Sequence, residues 1–359
     1  MSVNSSQPHP ELLAAATVAL LTTPPRRERL ELVREHGSFC AALSRIPHSA
    51  SAAKTAKRVL AEIRKAGLEA LCMTDSLYPR LLRAAADPPE VISVLGRLEP
   101  DDALALAIVG SRRASRYGLE MSRRLAAALS LAGLTIVSGL ARGIDAAAHR
   151  GALDVRGRTV AVLGSGLLNI YPHEHQKLAE QISRNGAVIS EFDLNEAPRG
   201  GNFPRRNRII TGMTLGTLVV EAALKSGSLV SARLAMEQDR EVFAVPGPAL
   251  SPNSEGVHAL IRDGAKLVTE ATDVLEELRP DIRALLETRP QTATTEDEEL
   301  DQVEREILNH LTNAQHAVDV DTLLDRTDIP IPLALAALSG LELKGRIWSL
   351  AGGLYQAKP

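Results

Sequence analysis

The stretch Ala105-Leu-Ala-Ile-Val-Gly-Ser-Arg112 contains the pattern on which the fold depends. A short apolar run, long enough for one buried strand, ends directly at glycine, serine and arginine. Between residues 101 and 278 such apolar runs alternate with segments of helical length. The runs are Ala105–Val109, Leu134–Val137, Thr159–Leu163, Ala187–Ile189, Thr217–Val220, Glu241–Val245 and Ala265–Val268. Strands separated by helices predict βαβ crossovers, and therefore an α/β protein with a parallel sheet.

Composition separates this sheet region from its neighbours. Residues 10–72 are rich in alanine, leucine and charge at helical spacing, and they predict a small helical domain. The sheet domain is expected over residues 73–278, beginning with a connector that carries the apolar run Val91–Leu95. Residues 279–300 are polar, contain two prolines and end acidic, which predicts a linker. Three helical patterns and a glycine-turned hairpin predict a winged helix over residues 301–356.

Overall composition limits the function classes. Of the 359 residues 45% are hydrophobic but only 3% are aromatic, so alanine, leucine and valine must fill the core. The net charge of −3 gives no overall basic field, and a nucleic-acid site would have to be a local patch. Cys40 and Cys72 lack metal-ligand spacing and are expected to be two buried thiols in a reducing cytosol. The apolar stretch Leu12–Leu21 is too short to span a bilayer, so we expect a cytoplasmic protein without membrane contact.

The residues that follow the predicted strands indicate a ligand site. The carboxyl ends of parallel strands lie at one edge of the sheet, where ligands bind. The turns after the first three strands contain Gly110-Ser111-Arg112, Ser138-Gly139 with Arg142, and Gly164 with Gly166. Glycine lets backbone amides approach a ligand, and the helix that follows adds partial positive charge. Three such turns, two of them with arginine, predict a ligand with several phosphates.

A basic segment at Pro198–Arg208 adds a second signal. It contains Arg199, Asn202, Phe203, Arg205, Arg206, Asn207 and Arg208. Arginine makes bidentate contacts with phosphate, and an aromatic ring offers a base a surface for stacking. We therefore expect this segment to contact single-stranded DNA. The alternative is a solvated basic loop whose arginines pair with nearby acids such as Glu191 and Asp193.

Catalytic patterns are weak, and we expect neither an enzyme nor a cofactor nor a metal. Asp145 and His149 are one helical turn apart, but an aspartate at a helix start is more often an N-cap. The rival interpretation is a Rossmann-like nucleotide phosphoribohydrolase, in which Glu221 would be the catalytic acid. A dinucleotide-dependent oxidoreductase fits less well, because Gly110-Ser-Arg112 is not GxGxxG.

The motifs, in their order, resemble the DNA processing protein A family, the bacterial recombination mediators of natural transformation. The similarity covers roughly residues 74–278. The segments that carry it are Ile108–Arg112, Ser138–Asp145, Val162–Gly166, Ile189–Glu191, Phe203–Ile210, Val220–Ala222, Ser226–Leu229 and Val245–Gly247.

The resemblance implies an extended Rossmann-like core that binds single-stranded DNA, forms a homodimer and helps to load RecA recombinase. It implies that Gly110, Ser111 and Arg112 form the main phosphate cradle. The rest of the groove would consist of Ser138, Gly139, Gly164, Gly166, Lys177 and the segment Asn202–Arg208. It further implies that the N-terminal region is a sterile-alpha-motif-like (SAM-like) domain and the C-terminal unit a winged helix.

Two segments depart from the family pattern. Thr22-Thr-Pro-Pro-Arg26 stands where relatives often have a Gly-Ile-Gly turn, which argues against DNA binding by the helical domain. The expected recognition helix at Ile331–Leu338 has no basic residue, and residues 301–359 hold eight acids against five bases. Because phosphate neutralisation dominates affinity for duplex DNA, we expect this module to contact protein instead.

Overall fold

A computed structural model describes residues 8–278, 280–288, 301–314, 317–325, 327, 329–343, 346–350 and 354–357. The chain divides into two units, residues 1–292 and residues 293–359. Residue 279, most of the predicted linker (289–300) and the predicted hairpin glycines Gly352 and Gly353 lie outside the described residues. No helix within the described ranges is long and apolar enough to cross a membrane.

The helices lie mostly where the sequence predicts them. They are α1 (Pro10–Leu20), α2 (Arg26–His36), α3 (Phe39–Leu43), α4 (Ala50–Lys65), α5 (Arg80–Ala84), α6 (Arg116–Leu131), α7 (Ile144–Asp154), α8 (Gln176–Arg184), α9 (Asn202–Gly212), α10 (Gly227–Glu237), α11 (Glu255–Arg262), α12 (Ala271–Glu277), α13 (Pro280–Thr288), α14 (Gln302–Thr312), α15 (Val320–Leu324) and α16 (Ile331–Leu343). The strands are β1 (Glu69–Cys72), β2 (Val91–Gly96), β3 (Ala105–Val109), β4 (Thr135–Ser138), β5 (Thr159–Val162), β6 (Gly186–Ser190), β7 (Gly216–Val219), β8 (Glu241–Ala244), β9 (Lys266–Leu267), β10 (Val318–Asp319), β11 (Ile347–Leu350) and β12 (Leu354–Ala357).

One nine-stranded sheet organises the first unit, in the order β1-β2-β6-β5-β4-β3-β7-β8-β9. The seven strands from β6 to β9 in this order are parallel to their neighbours, whereas β2 is antiparallel to both β1 and β6. The chain leaves β3 on one side through β4, β5 and β6, and then returns to the other side of β3 at β7. This order confirms the predicted α/β class and creates a topological switch point between β3 and β7.

The sheet is buried on both faces, which explains the continuous apolar runs. In β3, Ala105, Ala107 and Val109 join one core cluster, while Leu106 and Ile108 join a second cluster on the other face. The first cluster includes side chains of α9, α10 and the N-terminal helices, and the second includes α6, α7 and α12. Alanine fills many of these positions, so the helices lie close to the sheet.

The helical region and the connector are part of this unit. Residues 69–72, counted with the helical region above, form the edge strand β1, which pairs with β2 from the connector. The start of the predicted linker also differs from expectation, since α13 covers Pro280–Thr288 and its Leu286 is buried in the second core cluster. Pro280 is compatible with the first turn of this helix, because a helix start leaves the N–H groups of its first residues without partners.

The second unit is a winged helix, as predicted. Helices α14, α15 and α16 accompany a three-stranded antiparallel sheet in the order β10-β12-β11. Its core includes Ile307, Leu311, Leu338 and Ile347. The outward side of α16 is apolar, with Ile331, Leu333 and Leu335 exposed.

A network of ion pairs fixes α9 against the rest of the first unit. The buried carboxylate of Glu191, directly after β6, accepts hydrogen bonds from Arg208 at 2.6 Å and from Arg205 at 3.1 Å. Arg208 also contacts Asp87 at 3.0 Å, and Asp87 pairs with Arg26 of α2 at 2.6 Å. Arg26, from the segment that departs from the family pattern, therefore points into the protein.

The network provides a matched pair of stability variants. The side chain of Arg208 is 10% exposed and that of Arg205 is 55% exposed, although both bind Glu191. Arg208→Ala should lower the free energy of unfolding by about 3 kcal/mol, because it leaves a buried carboxylate incompletely paired. Arg205→Ala should cost about 1 kcal/mol or less, as exposed ion pairs do. Urea denaturation of both variants measures the difference, and equal losses would contradict this interpretation.

Candidate nucleic-acid interface

An open groove lies at the carboxyl ends of the central strands, at the switch point between β3 and β7. Its cavity has a volume of about 690 Å³. The walls come from the turns after β3, β4, β7 and β8 and from one face of α9. The lining residues are Val109, Gly110, Ser111, Arg112, Arg113, Ala141, Asp145, Phe203, Pro204, Arg206, Asn207, Ile210, Ala223, Lys225, Ser226, Gly227, Ser228, Ser231, Ser251, Pro252 and Asn253.

Positive charge is concentrated in this groove. Arg112, Arg113 and Lys225 are exposed and line it, and none of the three has a carboxylate within 4 Å in the part of the chain that the structure describes. The N-terminal end of α10, capped by Ser226, also faces the cavity and favours an anion there. The groove can therefore attract a ligand with several negative charges.

The aromatic part of the groove is centred on Phe203. The guanidinium carbon of Arg112 lies 4.9 Å from the centre of the Phe203 ring, and the ring of Tyr171 lies 5.9 Å from it at a tilt of 47°. His173 contacts Tyr171 edge to face, at 6.2 Å between ring centres. The chain has only nine Phe, Tyr and Trp side chains, and two of them meet here. An unpaired base can stack on such an aromatic surface.

The segment that carries Phe203 is a helix and not the expected loop. Helix α9 begins at Asn202 after the N-cap Gly201, so Pro204 lies in the first turn, where its missing N–H costs nothing. Helical spacing places Phe203, Asn207 and Ile210 on the face that lines the groove. Gly200, Gly201 and Pro204 mark the start of this helix.

The turn after β4, expected to be open to phosphate, contains an internal anion. The carboxylate of Asp145 accepts hydrogen bonds from the backbone N–H groups of Gly139 at 3.1 Å and of Ala141 at 3.3 Å. Burial raises the pKa of Asp145, and the nearby Arg206 guanidinium partly offsets that effect. The protein thus fills this cradle with its own carboxylate.

Glu221 fills a second anion site in the same way. It follows β7, is 4% exposed, and accepts hydrogen bonds from the backbone N–H of Ser115 at 2.9 Å and from the Ser115 hydroxyl. Its carboxylate therefore caps the N-terminal end of α6. A Cβ atom on Gly118 would lie 2.4 Å from the same carboxyl group. This internal use of Glu221 argues against the role of catalytic acid that the rival enzyme interpretation gives it.

The first turn is a partial cradle. The backbone N–H of Ser111 donates to the Glu221 carbonyl at 2.8 Å, and the Ser111 hydroxyl accepts from the N–H of Arg113 at 3.1 Å. The Ser111 N–H is thus already paired, whereas the Arg112 side chain is exposed and the Ser111 hydroxyl can still donate its own hydrogen to a ligand. Ser138 lies in the core, where its hydroxyl donates to the Ile108 carbonyl at 2.6 Å, and it does not line the groove.

The predicted glycines make room mainly for other parts of the protein. A Cβ on Gly139 would lie 2.4 Å from the Arg206 guanidinium, and one on Gly164 would lie 2.7 Å from the Phe203 ring. Gly110 is packed against Ile144, and Gly166 is packed against backbone carbonyls of the 193–194 segment. Gly110 lines the cavity, whereas Gly139, Gly164 and Gly166 do not.

Arg206 is a structural clamp within the groove wall. It is 3% exposed, and its guanidinium donates to the Gly139 carbonyl at 2.8 Å and to the Val162 carbonyl. Burial lowers its pKa to about 10, where it is still charged at neutral pH. It therefore fixes α9 to the ends of β4 and β5. Its positive charge adds to the electrostatic potential of the groove, but its buried side chain offers little surface for direct contact with a ligand.

Most of the remaining predicted cations pair with acids, as the alternative interpretation of the basic segment suggested. Arg205 and Arg208 bind Glu191, and Arg199 lies 3.3 Å from Glu196. Arg142 makes two hydrogen bonds with Glu174, which lower the pKa of that carboxyl to about 2. Lys177 is exposed on α8, and Asn202 lies beside Glu196 at 3.4 Å; neither lines the cavity.

Several lining residues are not among the predicted site residues. Lys225, Ser226 and Ser228 follow β7, and Asn253 follows β8 and donates to the Arg113 carbonyl at 3.1 Å. The run Lys225-Ser-Gly-Ser228 was a usable signal, because it combines a cation with hydroxyls at a helix start. Tyr171 is not among the predicted site residues, and nothing in the local sequence indicates its contact with Phe203.

The Asp145 and His149 motif forms neither a metal site nor an acid–base pair. The Thr159 hydroxyl donates to the Ile136 carbonyl and accepts from Nδ1 of His149 at 2.8 Å, while Asp145 binds backbone N–H groups. Among the described residues, no group of three or more His, Cys, Asp or Glu side chains could hold a metal ion.

Comparison with known proteins agrees with this architecture. A family model described as DNA recombination-mediator protein A matches residues 69–279, and one described as DprA winged helix domain matches residues 290–353. Protein Smf of Escherichia coli (strain K12) is 42% identical over 318 residues, covering 85% of this chain and 84% of that protein. DNA processing protein DprA of Streptococcus pneumoniae is 43% identical over 203 residues, covering 56% and 72%.

Two solved structures are similar as well. The structure of DNA processing protein A from Streptococcus pneumoniae has a TM-score of 0.63 at 33% identity, covering 74% of this chain and 96% of that chain. The protein of the same name from Helicobacter pylori, described for its single-stranded DNA binding mode, has a TM-score of 0.52 at 29% identity, covering 61% and 96%.

The fold and the groove together define a Rossmann-like α/β protein that has an open groove at its switch point and also contains a winged helix. The family match over most of the chain makes the relationship specific. The chain belongs to the DNA recombination-mediator protein A family. The resemblance noted from the sequence motifs is therefore confirmed.

The buried His149 predicts how stability depends on pH. Burial, and then the neighbouring His175, lower the pKa of His149 to about 3, whereas an unfolded chain binds that proton near pH 6.5. Because the unfolded state is protonated first, this contribution to stability is complete above about pH 6.5 and is lost as pH falls, by about 1.4 kcal/mol per pH unit.

The comparison of wild type with His149→Gln isolates this effect. At pH 7 the variant should be the less stable protein, because it loses a packed ring and its hydrogen bond. By pH 5 the difference in the free energy of unfolding should shrink by about 2 kcal/mol. Urea titrations at both pH values measure it; a difference independent of pH would contradict burial of the neutral ring.

Proposed function

We propose that this protein binds single-stranded DNA in the groove between β3 and β7, and that it does so without catalytic turnover. The observation that carries the proposal is Arg112, an exposed cation that lies over the Phe203 ring in an open cavity. One side chain of this pair suits a phosphate, and the other suits a base.

The preference for a single strand follows from the aromatic surface. Phe203 and Tyr171 can stack only with bases that are not paired within a duplex. The cations Arg113 and Lys225 extend the site to neighbouring phosphates, so a chain of nucleotides fits better than one nucleotide. The Helicobacter pylori relative, described for its single-stranded DNA binding mode, supports this assignment.

The biological role is proposed from family membership. We infer that the protein protects incoming single strands during natural transformation and recombination, and helps to load RecA recombinase onto them. A homodimer, a cytoplasmic location and a protein-contacting winged helix belong to the same proposal. The exposed apolar side of α16 and the lack of basic residues there favour protein over duplex DNA as the partner of the winged helix.

Substitution of Arg112 tests the proposed phosphate contact. Arg112→Ala should weaken single-stranded DNA binding about tenfold for every sequence, and it should reduce the salt slope of the affinity by about 0.7. The matched control is Arg142→Ala, which should change affinity less than about twofold, because Glu174 already holds that guanidinium. Fluorescence anisotropy across salt concentrations measures both, and normal binding by Arg112→Ala would remove the cradle from the mechanism.

Substitution of Phe203 tests the proposed base contact separately. Phe203→Ala should weaken binding by about 10- to 100-fold, since stacking contributes ~1–3 kcal/mol per base, while the salt slope stays unchanged. Phe192, whose ring lies under Arg205 at 5.3 Å outside the cavity, provides the control variant Phe192→Ala with near-normal affinity. If Phe203→Ala lowered the salt slope but not the affinity, stacking would be rejected.

A further inference from the structure

Helix α4 carries a dense stripe of positive charge that the groove does not use. Five basic side chains on this helix are exposed, against one acid, Glu62. They are Lys54, Lys57, Arg58, Arg64 and Lys65. We call them the α4 stripe. The contrast with the whole chain, which has 41 basic and 44 acidic residues, makes this helix exceptional.

The stripe is continuous along one side of the helix. At 100° per residue, the five side chains fall within an arc of about 120°, and they extend over roughly 16 Å of the helix axis. The opposite side of α4, with Ala56, Leu60 and Ile63, is buried in a core cluster. The single acid lies near Arg58, at 3.8 Å and with both side chains exposed, so it neutralises little of the charge.

We propose that the α4 stripe is a second binding surface for the phosphate backbone of DNA, which takes up the strand after it leaves the groove. A solvated helix face would normally mix acidic and basic residues, whereas five cations in one row match the regular charge of a nucleic acid. The proposal rests on the proposed function, because it requires that the strand bound at Arg112 and Phe203 extends along the same molecule to α4.

A membrane surface is the less suitable partner. An amphipathic helix binds lipid by inserting its apolar face, and the apolar face of α4 is already packed within the protein. The expected contact is also compatible with the departure at Thr22–Arg26, because it requires charge alone and no helix-hairpin-helix turn.

The sheet sets the distance between the two surfaces. Helix α4 packs on β1, the edge strand, and five strand spacings separate β1 from β3 in the sheet order. At about 4.8 Å for each spacing the strand must cross roughly 24 Å of sheet before it reaches the stripe. A short oligonucleotide held in the groove would not reach α4, whereas a long strand would.

The test compares oligonucleotide lengths. Lys54→Gln/Lys57→Gln/Arg58→Gln removes three charges and keeps good helix formers, with Arg124→Gln/Arg150→Gln/Arg233→Gln as a control of equal charge on other exposed helix positions. Binding of the full-length proteins is measured for strands of about six and about forty nucleotides. We expect the stripe variant to bind the short strand normally and the long strand about tenfold more weakly, with a salt slope reduced by about 2.

The outcomes separate the two proposals. Failure of the wild-type protein to bind the short strand would count against the groove, and long-strand binding equal to that of the control variant would overturn the stripe. If the stripe variant bound both the short and the long strand weakly, the charge-preserving variant Lys54→Arg/Lys57→Arg/Arg58→Lys should bind both with wild-type affinity. Weak binding of the long strand by that variant would overturn the proposal. Loss of binding only to phosphatidylglycerol vesicles, with DNA binding unchanged, would overturn it in favour of lipid.

Discussion

The buried guanidinium of Arg206 is the contact on which the groove depends. It binds the carbonyl groups of Gly139 and Val162, at the ends of two neighbouring strands, and it is carried by the helix that presents Phe203. A charge in this position needs full pairing, since an unpaired buried cation would cost several kcal/mol. Asp145 of α7 supplies the compensating negative charge. The attraction between Arg206 and Asp145 therefore helps to fix both the helix that carries Phe203 and the turn after β4.

The need to pair buried charges and dipoles also explains why so few of the turns after the strands are accessible to a ligand. Parallel strands followed by helices create anion sites at several turns, and each is unfavourable when buried and empty. Asp145 and Glu221 fill two of these sites, and Glu191 pairs with Arg205 and Arg208 of α9. What remains for a ligand is the small set of cations without such a partner, chiefly Arg112 and Lys225. The charge that the groove presents is therefore set by the anion sites and cations that the protein has already paired internally.

The sequence was sufficient for the parallel part of the sheet, for the edge at which the groove lies and for the roles proposed for Arg112 and Phe203. These features depend on local runs and on the residues that directly follow them. The environment of the other arginines was not predictable, because their partners are distant in sequence: Asp87 reaches Arg208 across the sheet domain, and Glu174 reaches Arg142 from another turn. Helix α9 was missed for a different reason, since Gly200, Gly201 and Pro204 suit both a loop and a helix start.

The central position of β3 has a consequence for the order of events during synthesis. Its parallel partner β7 lies more than a hundred residues later, with Leu106 opposite Gly216 in the register. A ribosome that has released the chain only as far as β6 has delivered one wall of the groove, while Lys225 and Asn253 are still to be made. At roughly 5–20 residues per second this interval lasts several seconds. A nascent chain therefore completes the groove only after β7, β8 and the turns that follow them have been made.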